Sequence, residues 1–275
     1  MHRDIYTDFR INDLEQGAIF YGAKSDNYID KEVYGIIITP RCDISNGKVN
    51  YFNYLPVIPF QDFLINDYWI IFRQQVLSML NNNLKSSLQN KKLSESIVEK
   101  FDILFIKEKY EKYFTKASEQ KKFKELTENI SNINSTQTNI ITPKDLNCLM
   151  LRHEKQAKGI LTEINNNRNP NFHLVESWAK EGEYYVILLR EIKRITYNLG
   201  MNLSKGIEVE GLTSIEKNNN DINKSIELLY IEKVLKSPFL EHLIQRFTSN
   251  FDKIGVEDHF SNLTNHLFKS YTKVL

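Results

Sequence analysis

The first sixty residues show short apolar runs separated by turn residues, which is the pattern of β-strands. Residues 17–21, 33–39 and 49–55 are the three runs, and 33–39 is apolar and β-branched enough for a strand buried on both faces. A Ser-Asn-Gly-Lys turn at 45–48 separates the last two runs, and Pro56 and Pro59 are expected to close the unit. The pattern predicts a small antiparallel sheet or barrel over residues 1–60.

From residue 61 the apolar positions recur at helical spacing. We expect amphipathic helices over 63–79 and 94–114, with a break or a frayed helix end at the three asparagines that begin at Asn81. The charged run 116–128 predicts a solvated helix, and the Ser, Asn and Thr residues that follow it predict a linker. The sequence therefore predicts a helical segment over 61–130 and a linker over 131–141.

The last part of the chain mixes both patterns. Thr142 and Pro143 suit the N-cap and first position of a helix. We further expect a strand at 158–164, paired strands at 172–178 and 184–192 around a turn at 180–183, and helices at 222–235, 238–254 and 257–275. The prediction is an α+β protein whose region 142–275 is mixed α+β and ends in a helical bundle.

Composition narrows the function classes. The 275 residues carry 36 Lys and Arg against 35 Asp and Glu, a net charge of +1. This balance lacks the basic excess of proteins that coat nucleic acid. Two cysteines cannot build a disulfide framework or a four-cysteine zinc site. The N-terminus is charged where a signal peptide is apolar, and no run approaches the ~20 apolar residues of a membrane helix. We expect a cytoplasmic protein that meets no membrane.

The corner Arg41-Cys42-Asp43 is the first candidate for chemistry, because it follows an apolar strand and precedes a turn. An adjacent cation favours the thiolate, so Arg41 makes Cys42 a candidate nucleophile. Such a nucleophile needs a general base, for which His153 and His173 are the plausible residues. The alternative is structural: Cys42 is a small buried side chain, and Asp43 caps the turn.

A second enzymatic alternative is a metal-dependent nuclease. Glu191-Ile192-Lys193 fits the Glu-x-Lys tripeptide of restriction-type nucleases, with Glu176 or Glu183 as the preceding acidic partner. No histidine belongs to a zinc motif such as His-Glu-x-x-His, and no glycine-rich phosphate loop is present. We therefore expect no metal site, no cofactor and no ATP hydrolysis.

Candidate binding residues lie on the β unit and near the C-terminus. Tyr51 and Tyr54 either stack nucleic-acid bases or pack into the sheet. Phe239, Leu243 and Phe247 recur at four-residue spacing, while Arg246 faces elsewhere on the same helix. These residues predict a docking helix, used either within the chain or onto a partner.

Three segments resemble a known barrel. Gly17-Ala18-Ile19-Phe20-Tyr21, Gly35-Ile36-Ile37-Ile38-Thr39 and Leu55-Pro56-Val57-Ile58-Pro59 are similar to the strands of the PemK/MazF-type toxins. The resemblance implies an SH3-like barrel. Ala18 stands where those toxins have an acidic residue, and Tyr34-Gly35 stands where they have Arg-Pro, so endoribonuclease activity does not carry over.

Two further motifs resemble a group of uncharacterised bacterial proteins. The motifs are the Thr39-Pro40-Arg41-Cys42-Asp43-Ile44 corner and the helix Ser237-Pro238 to Arg246-Phe247. The resemblance implies an accessory or regulatory subunit of a bacterial conflict system directed against phage. It also implies a protein partner, such as an ATPase or effector from the same operon. The alternatives are a nuclease or Cys-dependent enzyme centred on the Cys42 corner, and a nucleic-acid sensor that uses the aromatic face of the β unit and helical lysines such as Lys121, Lys122 and Lys124.

Overall fold

The computed structural model describes residues 5–11, 13–136, 141–166 and 168–251. The strands are β1 (Tyr6–Thr7), β2 (Ala18–Tyr21), β3 (Tyr34–Ile37), β4 (Tyr51–Pro59), β5 (Phe172–Glu176), β6 (Tyr184–Leu188), β7 (Lys193–Thr196), β8 (Ile207–Glu208) and β9 (Leu228–Leu235). The helices are α1 (Arg41–Ser45), α2 (Phe60–Phe63), α3 (Trp69–Gln89), α4 (Ile97–Lys100), α5 (Ile103–Tyr110), α6 (Ala117–Ser135), α7 (Pro143–Arg152), α8 (Glu154–Asn165), α9 (Tyr197–Asn202), α10 (Ser214–Asn219) and α11 (Phe239–Ser249). This mixture confirms the predicted α+β class.

One curled antiparallel sheet, shaped as half a barrel, organises the chain. Its strand order is β1-β9-β2-β3-β4-β6-β5, with β7 beside β4 and β8 beside β9. The predicted antiparallel unit of β2, β3 and β4 is confirmed, but the sheet continues on both sides with strands from residues 172–235. The half-barrel neither establishes nor removes the likeness to PemK-type barrels, which stays a prediction.

Strand β4 runs through Pro56 and ends at Pro59, so the expectation that the unit closes is right for Pro59 and wrong for Pro56. On one side β4 pairs with β7 through residues 51–54 and with β6 through residues 57–59, so Pro56 lies between these two partners. Leu55 and Ile36 exchange both backbone hydrogen bonds with each other, so the nitrogen of Pro56 faces the opposite side, where the gap lies. A proline is tolerated there because no ladder hydrogen bond is lost.

The sheet separates two hydrophobic clusters. The larger cluster packs Phe20, Phe52 and Tyr54 of the sheet against α3, α6 and α8. The smaller cluster packs the other face, including Ile36 and Val57, against α11. Gly35 leaves room for two aromatic rings on β2 and β4, because a Cβ atom there would lie 2.4 Å from Phe20 Cε1 and 2.8 Å from Tyr54 Cδ2.

Helical structure extends further than the polar residues predicted. Residues 60–89 run through α2, a π-helical turn at Leu64–Tyr68 and α3, so the break expected at Asn81 is wrong. Leu84 and Leu88, both fully buried, hold that last stretch against the core. Helix α6 likewise continues to Ser135 into the predicted linker, because Ile130 and Ile133 are buried beneath its polar face.

Two elements have the opposite type to the one expected. Residues 158–164 belong to helix α8 instead of a strand, since Ala157, Ile160 and Ile164 bury one helical face. Residues 228–235 form strand β9 instead of a helix. A register shift in the pairing of β9 with β2 breaks the alternation of its apolar residues, which gave them helix-like spacing. The helix expected over 257–275 lies outside the described residues.

Candidate functional site

The Cys42 corner is a short helix. Residues 41–45 form α1, which begins after Pro40. We expected this corner to connect a strand directly to a tight turn, and the structure corrects this to one turn of helix. Cys42 is exposed, which corrects the expectation of a buried structural thiol. Its thiol lies 3.6 Å from Asp43 Oδ1, and its carbonyl oxygen accepts a 2.6 Å hydrogen bond from Asn46. The hydrogen bonds of Cys42 are therefore local, while Ile44 anchors α1 in the larger hydrophobic cluster.

The two histidines proposed as general bases lie elsewhere. His153 joins α7 to α8, and burial together with nearby Arg152 lowers its pKa. His173 lies within β5. Within residues 5–11, 13–136, 141–166 and 168–251, no histidine is hydrogen-bonded to Cys42. Among the described residues, neither proposed histidine is therefore in a position to take the proton of this thiol.

We expect both thiols to react in the folded protein. Cys42 and Cys148 are both exposed and neither forms a disulfide, so Ellman's reagent should titrate two thiols per chain without denaturant. Cys42→Ser should change the free energy of unfolding by less than about 0.5 kcal/mol, as is usual for surface sites. A thiol that reacts only after urea is added would contradict this exposure.

The Glu191-Ile192-Lys193 tripeptide belongs to an ion-pair network. Lys193 Nζ lies 2.6 Å from Asp26 Oδ2 and 3.6 Å from Glu191 Oε1, while Ser25 Oγ donates to Glu191 at 2.8 Å. The acidic neighbour is Asp26, instead of the predicted Glu176 or Glu183. Burial opposes the charge of Lys193, but the hydrogen bond to Asp26 and the field of Glu191 raise its pKa overall. Across the described residues, no three His, Cys, Asp or Glu side chains could hold a metal ion.

The two tyrosines of the β unit have different surroundings. Tyr54 is fully buried, and its hydroxyl accepts from Lys24 N at 3.0 Å and donates to the carbonyl oxygen of Asp221. Tyr54 therefore ties two loops to the sheet and offers no surface to a base. Tyr51 is exposed, but the guanidinium of Arg194 lies over its ring at 4.4 Å, so the protein's own cation covers one face.

Helix α11 docks within the chain. Leu243 is fully buried in the smaller cluster, and Phe239 and Phe247 pack at the edge of that cluster. Arg246 joins the helix to β5: its Nη1 donates to the carbonyl oxygen of Phe172 at 3.1 Å, and its Nη2 donates to that of Asn169 at 2.6 Å. These contacts account for the apolar stripe that the sequence shows.

The structure brings His173 and Arg246 together. His173 Nδ1 lies 3.1 Å from Arg246 Nη1, and since a guanidinium only donates, Nδ1 accepts and the ring proton is on Nε2. Burial lowers the pKa of His173 to about 3, assisted by Arg246 and by His242, whose ring is 5.4 Å away. The imidazole is therefore neutral at physiological pH.

A cavity of about 260 Å³ opens beside this pair. Leu174 and Glu176 of β5 line one side, and Phe239 and His242 of α11 line another. Leu235, at the end of β9, closes part of the remaining wall. The cavity therefore lies between the outer edge of β5 and the opposite end of the curled sheet.

The clearest surface feature was missed at the sequence level. We define the α5 patch as Phe101, Leu104 and Phe105, which are 42%, 63% and 39% exposed. The rings of Phe101 and Phe105 stack with centroids 4.8 Å apart. The sequence predicts one amphipathic helix over 94–114, in which these residues belong to the apolar positions. Asp102 instead caps a new helix by accepting from Leu104 N at 2.6 Å, which leaves Ile106 as the buried residue of α5.

Comparison with known proteins gives no relative: no family model, no curated protein and no solved structure matches this chain. No helix in the described ranges has the length and apolar character needed to cross a membrane. The function must therefore be inferred from the surfaces and cavities of this chain.

Proposed function

We propose that this chain is an accessory or regulatory subunit that works by binding another protein at the α5 patch. The observation that supports this proposal most strongly is the exposed, stacked pair Phe101 and Phe105, together with the exposed Leu104. Clustered large apolar side chains on a surface mark interaction sites, and aromatic residues contribute strongly to binding energy.

A groove beside the patch supports the same function. It has a volume of about 370 Å³ and lies where α5 meets the middle of α3 and the C-terminal end of α6. Val98 and Ile130 give it an apolar floor, while Asn81 and Asn134 offer hydrogen-bonding groups. This combination suits an amphipathic helix that inserts apolar side chains and leaves its polar groups at the rim.

The charges around the patch favour a protein over a nucleic acid. Lys107 Nζ lies 2.8 Å from Glu128 Oε1, and Lys85 Nζ lies 2.6 Å from Glu99 Oε1. Since these lysines are paired with carboxylates, they add little attraction for phosphate groups. The exposed apolar side chains of the α5 patch therefore attract a protein partner more strongly than these paired lysines attract a nucleic acid.

The biological setting of the proposal comes from sequence resemblance. Residues 38–44 and 237–247 are the segments that suggest a cytoplasmic component of a bacterial conflict system. The partner in that setting is an ATPase or effector encoded beside this chain. The α5 patch supports partner binding independently of that setting.

The proposal is tested by Leu104→Asn with Leu151→Asn as the matched control. Both leucines are exposed on helices, but Leu151 lies on α7, outside the patch. Tagged wild-type and variant chains are purified from their own cells, and bound proteins are quantified by mass spectrometry. We expect one protein to be lost about tenfold with Leu104→Asn, the effect of ~1.4 kcal/mol, and retained with Leu151→Asn. Equal recovery with both variants would refute the role of the patch.

A further inference from the structure

The outer edge of β5 offers a backbone hydrogen-bonding position beside the cavity. Leu189 N donates to the carbonyl oxygen of Asn171, and Ser177 N donates to that of Glu183. These two bonds show that the odd-numbered residues of this stretch direct their backbone groups toward β6 and its turn. Because an antiparallel strand alternates these directions, Phe172, Leu174 and Glu176 direct theirs outward.

Two of the three outward-facing positions are in use. The carbonyl oxygen of Phe172 accepts from Arg246, and the carbonyl oxygen of Glu176 accepts a 2.5 Å hydrogen bond from the hydroxyl of Tyr6. Between them lie the N–H and C=O of Leu174, to which no other described residue hydrogen-bonds from the outer side. The backbone of Leu174 is therefore the open position on this edge. The side chains of Arg246 and Tyr6 occupy the carbonyl oxygens two residues before and after it.

The surroundings of Leu174 favour an extended polypeptide. A residue of a β-strand presents its N–H and C=O on the same side, which matches the donor and acceptor of Leu174. Ile5, Leu235 and Phe239 provide apolar walls for side chains on either side of that residue. His173, which is 5% exposed and also lines the cavity, carries the Nε2 proton as a further donor for a carbonyl oxygen.

From this geometry we infer that the β5 edge at Leu174 captures a short extended peptide segment of another protein as an added strand. The cavity is smaller than the ~300–1,000 Å³ of typical small-molecule pockets, so it accepts only a short stretch of chain. The contacts from Arg246 and Tyr6 limit pairing to one residue. This surface shares no residue with the α5 patch or its groove, so either binding role can be refuted without affecting the other.

The test uses a phage-displayed library of random heptapeptides selected against the full chain. An enriched peptide is then synthesised, and its affinity is measured for the wild type, Leu174→Pro and Leu174→Ala. Proline removes only the outward N–H and leaves the bonds to β6 intact, whereas alanine removes the side chain and keeps the N–H. We expect binding about tenfold weaker to Leu174→Pro than to Leu174→Ala, because both variants lose the leucine side chain but only proline loses the N–H.

A second measurement keeps the inference testable if Leu174→Pro does not fold. N-methylation of the peptide at the pairing residue should abolish binding to the wild-type protein, and bound peptide should slow exchange of the Leu174 amide proton. Three outcomes overturn the inference: no peptide is enriched, an enriched peptide ignores both the proline and the methyl group, or a second copy of the chain pairs at this edge. The last would appear as a dimer in light scattering that Leu174→Pro dissociates.

Discussion

Arg246→Ala should lower the free energy of unfolding by about 1–3 kcal/mol, the usual cost of leaving hydrogen-bond acceptors without their donor. Arg246 donates to the carbonyl oxygens of Phe172 and Asn169 and to His173 Nδ1, so its loss leaves these acceptors unpaired beneath α11. Urea denaturation measures the change.

Two further variants define the cause. Arg246→Lys should recover only part of the loss, because a single ammonium cannot reach acceptors arranged for a planar fork. Arg190→Ala is the control: Arg190 is exposed, and its loss should cost less than about 0.5 kcal/mol. If Arg246→Ala behaves like Arg190→Ala, then Arg246 does not hold α11 on β5.

Acid should destabilise the protein through His173. Its pKa is about 3 in the folded state, against 6.5 for an unperturbed histidine, so the unfolded chain takes up the proton first. The stabilisation is complete above pH 6.5 and is lost as the pH falls toward 3. Its loss amounts to about 1.4 kcal/mol per pH unit below 6.5, or about 2 kcal/mol between pH 7 and pH 5. Unfolding free energies across this range measure it.

His173→Asn separates this histidine from the others. The asparagine oxygen replaces Nδ1 as an acceptor for Arg246 but does not titrate. His153, whose pKa is also lowered, contributes in the same direction and remains in the variant. The difference in pH dependence between wild type and variant therefore reports His173. Parallel stability curves for the two proteins from pH 7 to pH 5 would show that His173 titrates normally.

Local signals in the sequence identified much of the fold. The apolar runs predicted β2, β3 and β4, and the turn at 180–183 predicted the pairing of β5 with β6. Thr142 caps α7 by accepting from Asp145 N at 3.2 Å, with Pro143 at the first helical position as expected. In each case neighbouring residues in the sequence form the turn or the cap, so it can be predicted without knowing any distant contact.

The features that depend on distant contacts were not predictable. β9 is a strand because it inserts between β1 and β2, more than 200 residues away in the sequence. Most residues of α6 are charged or polar, so the sequence did not indicate that Ile130 and Ile133 belong to the core. They are buried because α3 packs against α6. Periodicity cannot report which distant element will cover a face.

The candidate sites show the same division. His173, Phe239 and Arg246 were singled out separately, but only the fold brings β5 and α11 together around one cavity. The α5 patch was not predicted because Asp102 starts a new helix, in which Ile106 is the buried residue and Phe105 is exposed. The open edge at Leu174 depends on backbone direction, which side-chain patterns do not record.

Site-specific photo-crosslinking in the living cell tests most directly whether this chain works by binding a protein at the α5 patch. A benzophenone amino acid replaces Phe105 in one strain and Leu151 in another, since both positions are exposed on helices. The account predicts that one protein is crosslinked from position 105 and not from position 151, and that Leu104→Asn removes the crosslink. No crosslinked protein from position 105, or the same proteins from both positions, would contradict it.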